Sequence, residues 1–248
     1  MIVWEVATQQ IVARLKGHRH GVQCVAFSPN QPLLVSVGFN HDGSLFIWNW
    51  KTEQKVATGR VSQKVCISIG FCLFVFFSTL LLNPLNNLQI NGISFSEDGT
   101  YFVTCGKNHV KFWTVEGLKV SLFSSLHFLE NRSHPYFLIF WKQATSQVID
   151  GKAVVLGSLR SSNFAEVVCG KGPLRNLVYC VTAEGLLCSF QSSRELVHFI
   201  ELEVASAHSL AVYENAIACG CSDGTIRVLT SDFKHAVTLP KPTTPALE

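Results

Sequence analysis

The feature that most constrains this chain is a strand–turn–strand unit that returns along its length. Gln23–Ser28 runs into Pro29-Asn30, Leu33–Gly38 follows, and a turn at Asn40-His41-Asp42-Gly43 leads into Ser44–Trp48. The same order recurs in Gly92–Gly99, Tyr101–Gly106, Lys107-Asn108-His109 and Val110–Trp113. It returns again in Ala216–Cys221, Ser222-Asp223-Gly224 and Thr225–Leu229, and Ile2–Val6 opens the chain with one such run. The runs are short, rich in β-branched and aromatic residues, and bounded by Gly, Asn, Asp, Ser and Pro. Helical periodicity is scarce. An all-β chain built from one repeated module is the expectation.

The module resembles the unit of the WD-repeat family, whose repeats of about 40–45 residues fold as four-stranded antiparallel blades of a β-propeller. Gly17-His18, Trp48-Asn49 and Cys219–Leu229 carry the match. Departures are visible: Asn49 and Asn108 stand at or near aspartate positions, and Phe190 and Leu229 stand where tryptophan is usual. The finer pattern is Gly21–Asn30, Val35–Asp42, Ser94–Asp98, Tyr101–Thr104, His109–Trp113, Gly185–Cys188 and Cys219–Gly224. It is similar to the mitogen-activated protein kinase-binding group that includes a microcephaly-associated scaffold. The resemblance implies a long scaffold with two propellers that binds c-Jun N-terminal kinase and its upstream kinases. It also implies a cytoplasmic setting, with spindle poles or centrosomes as sites of association. Kinase docking in that group belongs to a C-terminal tail outside the similarity, so direct kinase binding is not expected of these residues.

Spacing and charge agree on where the array is interrupted. Phe190 and Leu229 are 39 residues apart, whereas Trp48 and Trp113 are 65 apart. Excising the 25 residues 66–90 restores 40, and excising 120–145 shortens the Trp113–Phe190 interval from 77 to 51. These are also the charge-poor stretches: Val65–Ser96 has no Asp, Glu, Lys or Arg, and Val120–Thr145 has only Glu130, Arg132 and Lys142. Residues 1–240 are therefore read as a partial propeller with two apolar insertions, 66–90 and 120–145, and 241–248 as a tail. A half blade at 1–17 and blades near 18–60, 61–158, 159–202 and 203–240 give an incomplete arc of about four and a half blades. The arc leaves open blade edges through which the chain would self-associate.

Three readings of the first insertion stand side by side. Val65–Leu82 is 18 uncharged residues, long enough to span a bilayer. A span there would part neighbouring blades that must bury their faces against each other. A helix packed in a loop is the second reading. Translated non-coding sequence, rich in Phe, Leu and Ser, is the third.

Chemistry is sparse. His18, Ser36 and Asp42 offer the residue types of a hydrolytic triad, with Trp48 nearby, but no Gly-x-Ser-x-Gly elbow surrounds Ser36. The family resemblance assigns the four to a structural tetrad instead. In it Asp42 accepts from turn N–H groups and His18, and Ser36 joins His18 to the Trp48 indole. Asp42 follows Ser36 by six residues where four is usual, so the turn must bulge. His20, His41, His109 and His208 show no metal-ligand spacing and are read as solvated or tetrad-like. The nine cysteines include no CxxC pair and mostly lie in apolar runs, so buried reduced thiols in a reducing compartment are expected. Phosphate loops are absent, no cofactor is implied, and a net charge of +3 without a Lys/Arg cluster excludes a nucleic-acid footprint. What remains is a non-catalytic protein-binding face around the tetrad turns: Arg19, His20, His41, Lys107 and Ser222. A propeller-type enzyme and a membrane-anchored protein are the alternatives.

Overall fold

The computed structural model describes residues 1–39, 42–61, 89–115 and 147–241. Val65–Leu82, residues 66–88 of the first insertion, the whole of 120–145, His41 and residues 242–248 lie outside the described residues.

Five sheets follow one another along the chain. A ribbon pairs β1 (Ile2–Trp4) with β2 (Ile11–Arg14). The first blade holds β3 (Val22–Phe27), β4 (Leu33–Gly38), β5 (Ser44–Asn49) and β6 (Gln54–Arg60). The second holds β7 (Ile90–Phe95), β8 (Tyr101–Gly106) and β9 (His109–Thr114). The chain then lays β10 (Gln147–Ile149) parallel to β6 and completes the second blade with β11 (Lys152–Ala153). The third blade is β12 (Phe164–Cys169), β13 (Leu177–Thr182), β14 (Leu186–Gln191) and β15 (Leu196–Glu201). The fourth is β16 (Ala207–Tyr213), β17 (Ala216–Cys221), β18 (Ile226–Thr230) and β19 (His235–Leu239). All blade pairings are antiparallel except β10 on β6. The first blade thus has five strands, a departure from the four-stranded expectation, and the outer strand of the second is cut to two residues.

The core sits between blades, as a propeller requires. Val3, Ala13 and Leu15 of the ribbon pack on Leu34 and Trp48 of the first blade. Val35, Val37 and Ile47 of that blade meet Phe102 and Trp113 of the second. Phe112 and Val103 meet Phe164, Val178 and Phe190, and Tyr179 and Val181 meet Leu210, Ile217 and Leu229. The inner strands pack in series, β3 on β7, β7 on β12 and β12 on β16. Burying apolar area in this way supplies the main stabilisation, roughly 25 cal/mol per Å². Among the described residues, neither end of the array has such cover. Trp4 is 56% exposed in the ribbon, and every residue of β19 is exposed. The fold is an open arc of a ribbon and four blades.

Identical backbone bonds recur at both ends of the blades. Where the second strand of a blade turns into the third, Phe39, Lys107, Ala183 and Ser222 donate their N–H groups to Gly21, Gln89, Asn163 and Ser206. Each acceptor lies in the link entering the same blade. At the opposite end Trp50, Val115, Ser192 and Ser231 donate to Pro32, Thr100, Asn176 and Asn215. Polar bonds also cross between blades: Asn91 Nδ2 donates to the Phe164 carbonyl at 2.8 Å, and the Leu210 N–H donates to Glu166 Oε2 at 2.8 Å. Turns held on both sides in this way form a fixed surface.

Candidate functional site

His18 sits in the link between ribbon and first blade, Ser36 in mid-β4, Asp42 in the β4–β5 turn and Trp48 on β5. Folding the blade brings the four into one line of hydrogen bonds. Trp48 Nε1–H, which can only donate, points at Ser36 Oγ at 2.8 Å. Ser36 Oγ lies 2.8 Å from His18 Nε2, and His18 Nδ1 lies 2.8 Å from Asp42 Oδ2. The carboxylate accepts at one end and the indole donates at the other, so each group in the line has a partner. His18 is thereby held with Nδ1–H toward Asp42 and Nε2 accepting from Ser36.

Asp42 receives further donors. Among the described residues, the backbone donor to Asp42 is Arg19 N–H, from the link, at 3.3 Å. In the same turn Asp42 N–H and Gly43 N–H both donate to the Phe39 carbonyl. Burial pushes the Asp42 carboxyl up, but hydrogen bonds from His18 and Ser44 and from the Arg19 N–H together hold it below the usual carboxylate range.

Two glycines make room for this line. A Cβ on Gly17 would stand 2.7 Å from Trp48 Cη2, and one on Gly38 would stand 2.6 Å from Asp42 Oδ2. Both distances are far inside van der Waals contact, so a side chain at either position would push the tetrad apart. Phe46 covers the outer side, its ring 4.5 Å from the His18 ring and edge-on to Trp48 at 5.6 Å. The Asn49 carboxamide oxygen accepts from Lys51 and Thr52 N–H at 3.1 and 3.3 Å, the work an aspartate would do in the next turn.

The second blade builds a shorter version from different positions. Trp113 Nε1–H donates to Thr104 Oγ1 at 3.0 Å, and Thr104 Oγ1 lies 2.8 Å from His109 Nε2. This histidine comes from the start of β9, across a two-residue turn of Lys107 and Asn108, instead of from the link before the blade. Asn108 holds φ 55°, the left-handed conformation that such turns demand and asparagine tolerates. His109 is buried. Desolvation and, second, the nearby Lys111 charge bring its pKa down to about 3, so the ring is neutral.

The Asp42–His18–Ser36 distances would suit a triad, but the surroundings do not. Ser36 has no exposed surface, and its oxygen already accepts the indole N–H. β4 lies between β3 and β5, with backbone groups of both neighbours in the ladder, so no free N–H pair stands ready for an oxyanion. The arrangement can tie link, strand and turn together; it offers nothing to a substrate.

Among the described residues, no three His, Cys, Asp or Glu side chains gather as metal ligands, and no helix is long and apolar enough to cross a membrane. The described cysteines 24, 105, 169, 180, 188, 219 and 221 are unpaired, and burial raises their pKa values. Arg19, His20, Lys107 and Ser222 are exposed, at the end of the blades where strand turns meet entering links. His41 falls outside the described residues.

Comparison with known proteins agrees with this geometry. The WD domain, G-beta repeat model matches residues 9–49 and 82–114. Mitogen-activated protein kinase-binding protein 1 of Mus musculus is 35% identical over 97% of the chain, and WD repeat-containing protein 62 of Sus scrofa 34% identical over 97%. In each case the chain spans 13% of the relative's length. Cilia- and flagella-associated protein 52 of Bos taurus is 25% identical over 47% of the chain and is covered over 15% of its own length. With repeated blades, interblade cores and the indole-to-carboxylate line of the first blade in view, the chain belongs to the WD-repeat family.

Proposed function

We propose that the chain is a non-catalytic interaction module that holds partner proteins on the end of the blades where strand turns meet entering links. The observation that carries this reading is a contrast within one blade. The chemically capable residues His18, Ser36 and Asp42 are consumed in holding the turn, while Arg19 and His20 beside them are exposed. Lys107 and Ser222 extend the same end on the second and fourth blades, and His41 completes the set in sequence. Such turns, fixed at both sides, present side chains at little entropic cost on binding.

The partner class comes from the relatives. One carries kinase binding in its name, so components of a kinase pathway are the first class; the resemblance in sequence adds centrosomal or spindle-pole proteins as the second. The tetrad residues His18, Ser36, Asp42 and Trp48 serve the fold in this reading. The exposed ribbon and β19 edges supply a route to self-association. A cytoplasmic setting fits seven unpaired described cysteines.

The test is capture from cell extract with the chain as bait, read by quantitative mass spectrometry for kinase-pathway and centrosomal proteins. A variant carrying Arg19→Glu, Lys107→Glu and Ser222→Glu is run beside it. Loss of those proteins with an unchanged melting temperature supports the face. Full retention by the triple variant sinks it, and turnover of any substrate by the purified chain sinks the non-catalytic reading.

A further inference from the structure

At the opposite end of the blades, away from the face just described, lies a cavity of about 250 Å³ between the second and third blades. One wall is Tyr101 and Thr114 with Lys152 of β11; the other is Ser192 and Arg194 of the β14–β15 turn; Phe112 contributes to the lining. Its chemistry is one-sided. Two cations reach it from different blades, and no carboxylate lines it. Neither Lys152 nor Arg194 has an ion pair or a side-chain hydrogen bond among the described residues.

Thr114 and Ser192 add hydroxyl groups to the lining. The Tyr101 hydroxyl is buried without a hydrogen-bond partner, and burial raises its pKa, so it keeps its proton. The nearest acid on this turn, Asp98, is engaged by the Ser96 and Thr100 hydroxyls at 2.7 and 2.8 Å. Arg194 is set by its turn: its backbone has φ 76° and its N–H donates to the Gln191 carbonyl at 2.8 Å. A tight turn thus places the half-buried Arg194 at a cavity that the exposed Lys152 also lines.

Like charges gathered without a counter-charge are unfavourable, and the deficit is best met by an anion carrying two charges and several acceptor oxygens. We infer that this interblade cavity binds a phosphate dianion, free or as a monoester, with Arg194 as the fork, Lys152 as the second charge and the Thr114 and Ser192 hydroxyls as supplementary donors. The volume admits a phosphorylated side chain or free phosphate. Both present the same group, and neither depends on the partner face at the other end.

Titration calorimetry on the full chain, at constant ionic strength with chloride as the balancing anion, tests this. The probes are inorganic phosphate, a tripeptide acetyl-Ala-phosphoserine-Ala-amide and its glutamate counterpart. Saturable binding of phosphate or phosphopeptide is expected, at least tenfold weaker in Arg194→Gln and in Lys152→Gln and lost in the double variant. Binding should also fall below about pH 6, where the phosphate takes up its second proton. A phosphopeptide that binds at least tenfold tighter than phosphate identifies a phosphorylated protein segment as the source; equal affinities identify the free anion. Arg194→Lys keeps the charge and the turn, so an intermediate loss there separates the missing fork from misfolding. The inference is overturned by phosphate binding no stronger than chloride, by equal binding of the glutamate peptide, or by a double variant that binds like the parent chain.

Discussion

The first two blades and the last two solve one packing problem by opposite chemistry. At equivalent ladder positions, two residues beyond the one opposite the third-strand aromatic, the second strand carries Ser36 in the first blade and Thr104 in the second. Each accepts an indole N–H, from Trp48 or Trp113. In the third and fourth blades the same positions hold Cys180 and Cys219, and the indoles are replaced by Phe190 and Leu229. Donor and acceptor disappear together. Had only the tryptophan changed, a buried hydroxyl would have lost its partner, at about 1–3 kcal/mol. The paired change leaves a thiol that needs no donor, and burial, then the neighbouring Cys221, keeps the Cys219 thiol protonated by pushing its pKa to about 12. Degeneracy of the repeat is therefore coordinated: blades lose the polar line as a unit.

The largest expected effect falls on the indoles. Trp113→Ala and Trp48→Ala should each destabilise by about 3–5 kcal/mol in denaturant unfolding, since both rings fill interblade cores. Leu229→Ala removes fewer atoms and no hydrogen bond, so its cost should fall at the lower end of about 2–5 kcal/mol. Equal losses at Trp113 and Leu229 would break the contrast between polar and apolar blades.

Asp42→Ala should cost about 1–3 kcal/mol, because His18 Nδ1–H and Arg19 N–H lose their acceptor. Removal of Asp98, a carboxylate outside any tetrad, serves as the comparison and should not disturb the Trp48 environment in fluorescence.

Acid should separate the first blade from the second. His109 has its folded pKa depressed to about 3, so the unfolded chain takes up a proton first as pH falls. Its contribution is intact above about pH 6.5 and is lost on the way down, by about 1.4 kcal/mol per pH unit. Asp42 is also depressed, as a carboxylate, so its contribution is present above about pH 3.9 and lost only as pH falls through the folded value. His109→Gln should flatten the stability profile between pH 6.5 and 5.5 relative to the parent chain. An unchanged slope would mean that the ring is not buried neutral.

The smallest effect is a coupling. Trp113→Phe with Thr104→Cys writes the third-blade pair into the second blade. The double variant should be more stable than the sum of the single changes by about 0.5–1 kcal/mol. A coupling of zero would make the joint replacement in the third and fourth blades an accident of drift.

The sequence exposed the blade order because a period near forty residues survives where single residues do not, and the spacing that failed, Trp48 to Trp113, marked its own interruption. His18, Ser36, Asp42 and Trp48 were legible as a set because each occupies a position the repeat defines. His109 was not assignable to one role, because its meeting with Thr104 depends on a tight hairpin and not on the repeat. The Cys180/Phe190 and Cys219/Leu229 pairs were also hidden, since each replacement looks harmless until ladder register sets the two residues in one place. Parallel docking of β10 on β6 follows a segment whose composition carries no strand pattern.

The central claim is that the first-blade line is structural and that partners meet the exposed turns around it. Ser36→Ala tests it most directly. It removes the buried link between indole and imidazole without touching an exposed side chain. Captured kinase-pathway and centrosomal proteins should stay at parent levels below the lowered melting temperature of this variant. Loss of capture at temperatures where the variant is still folded would contradict the account.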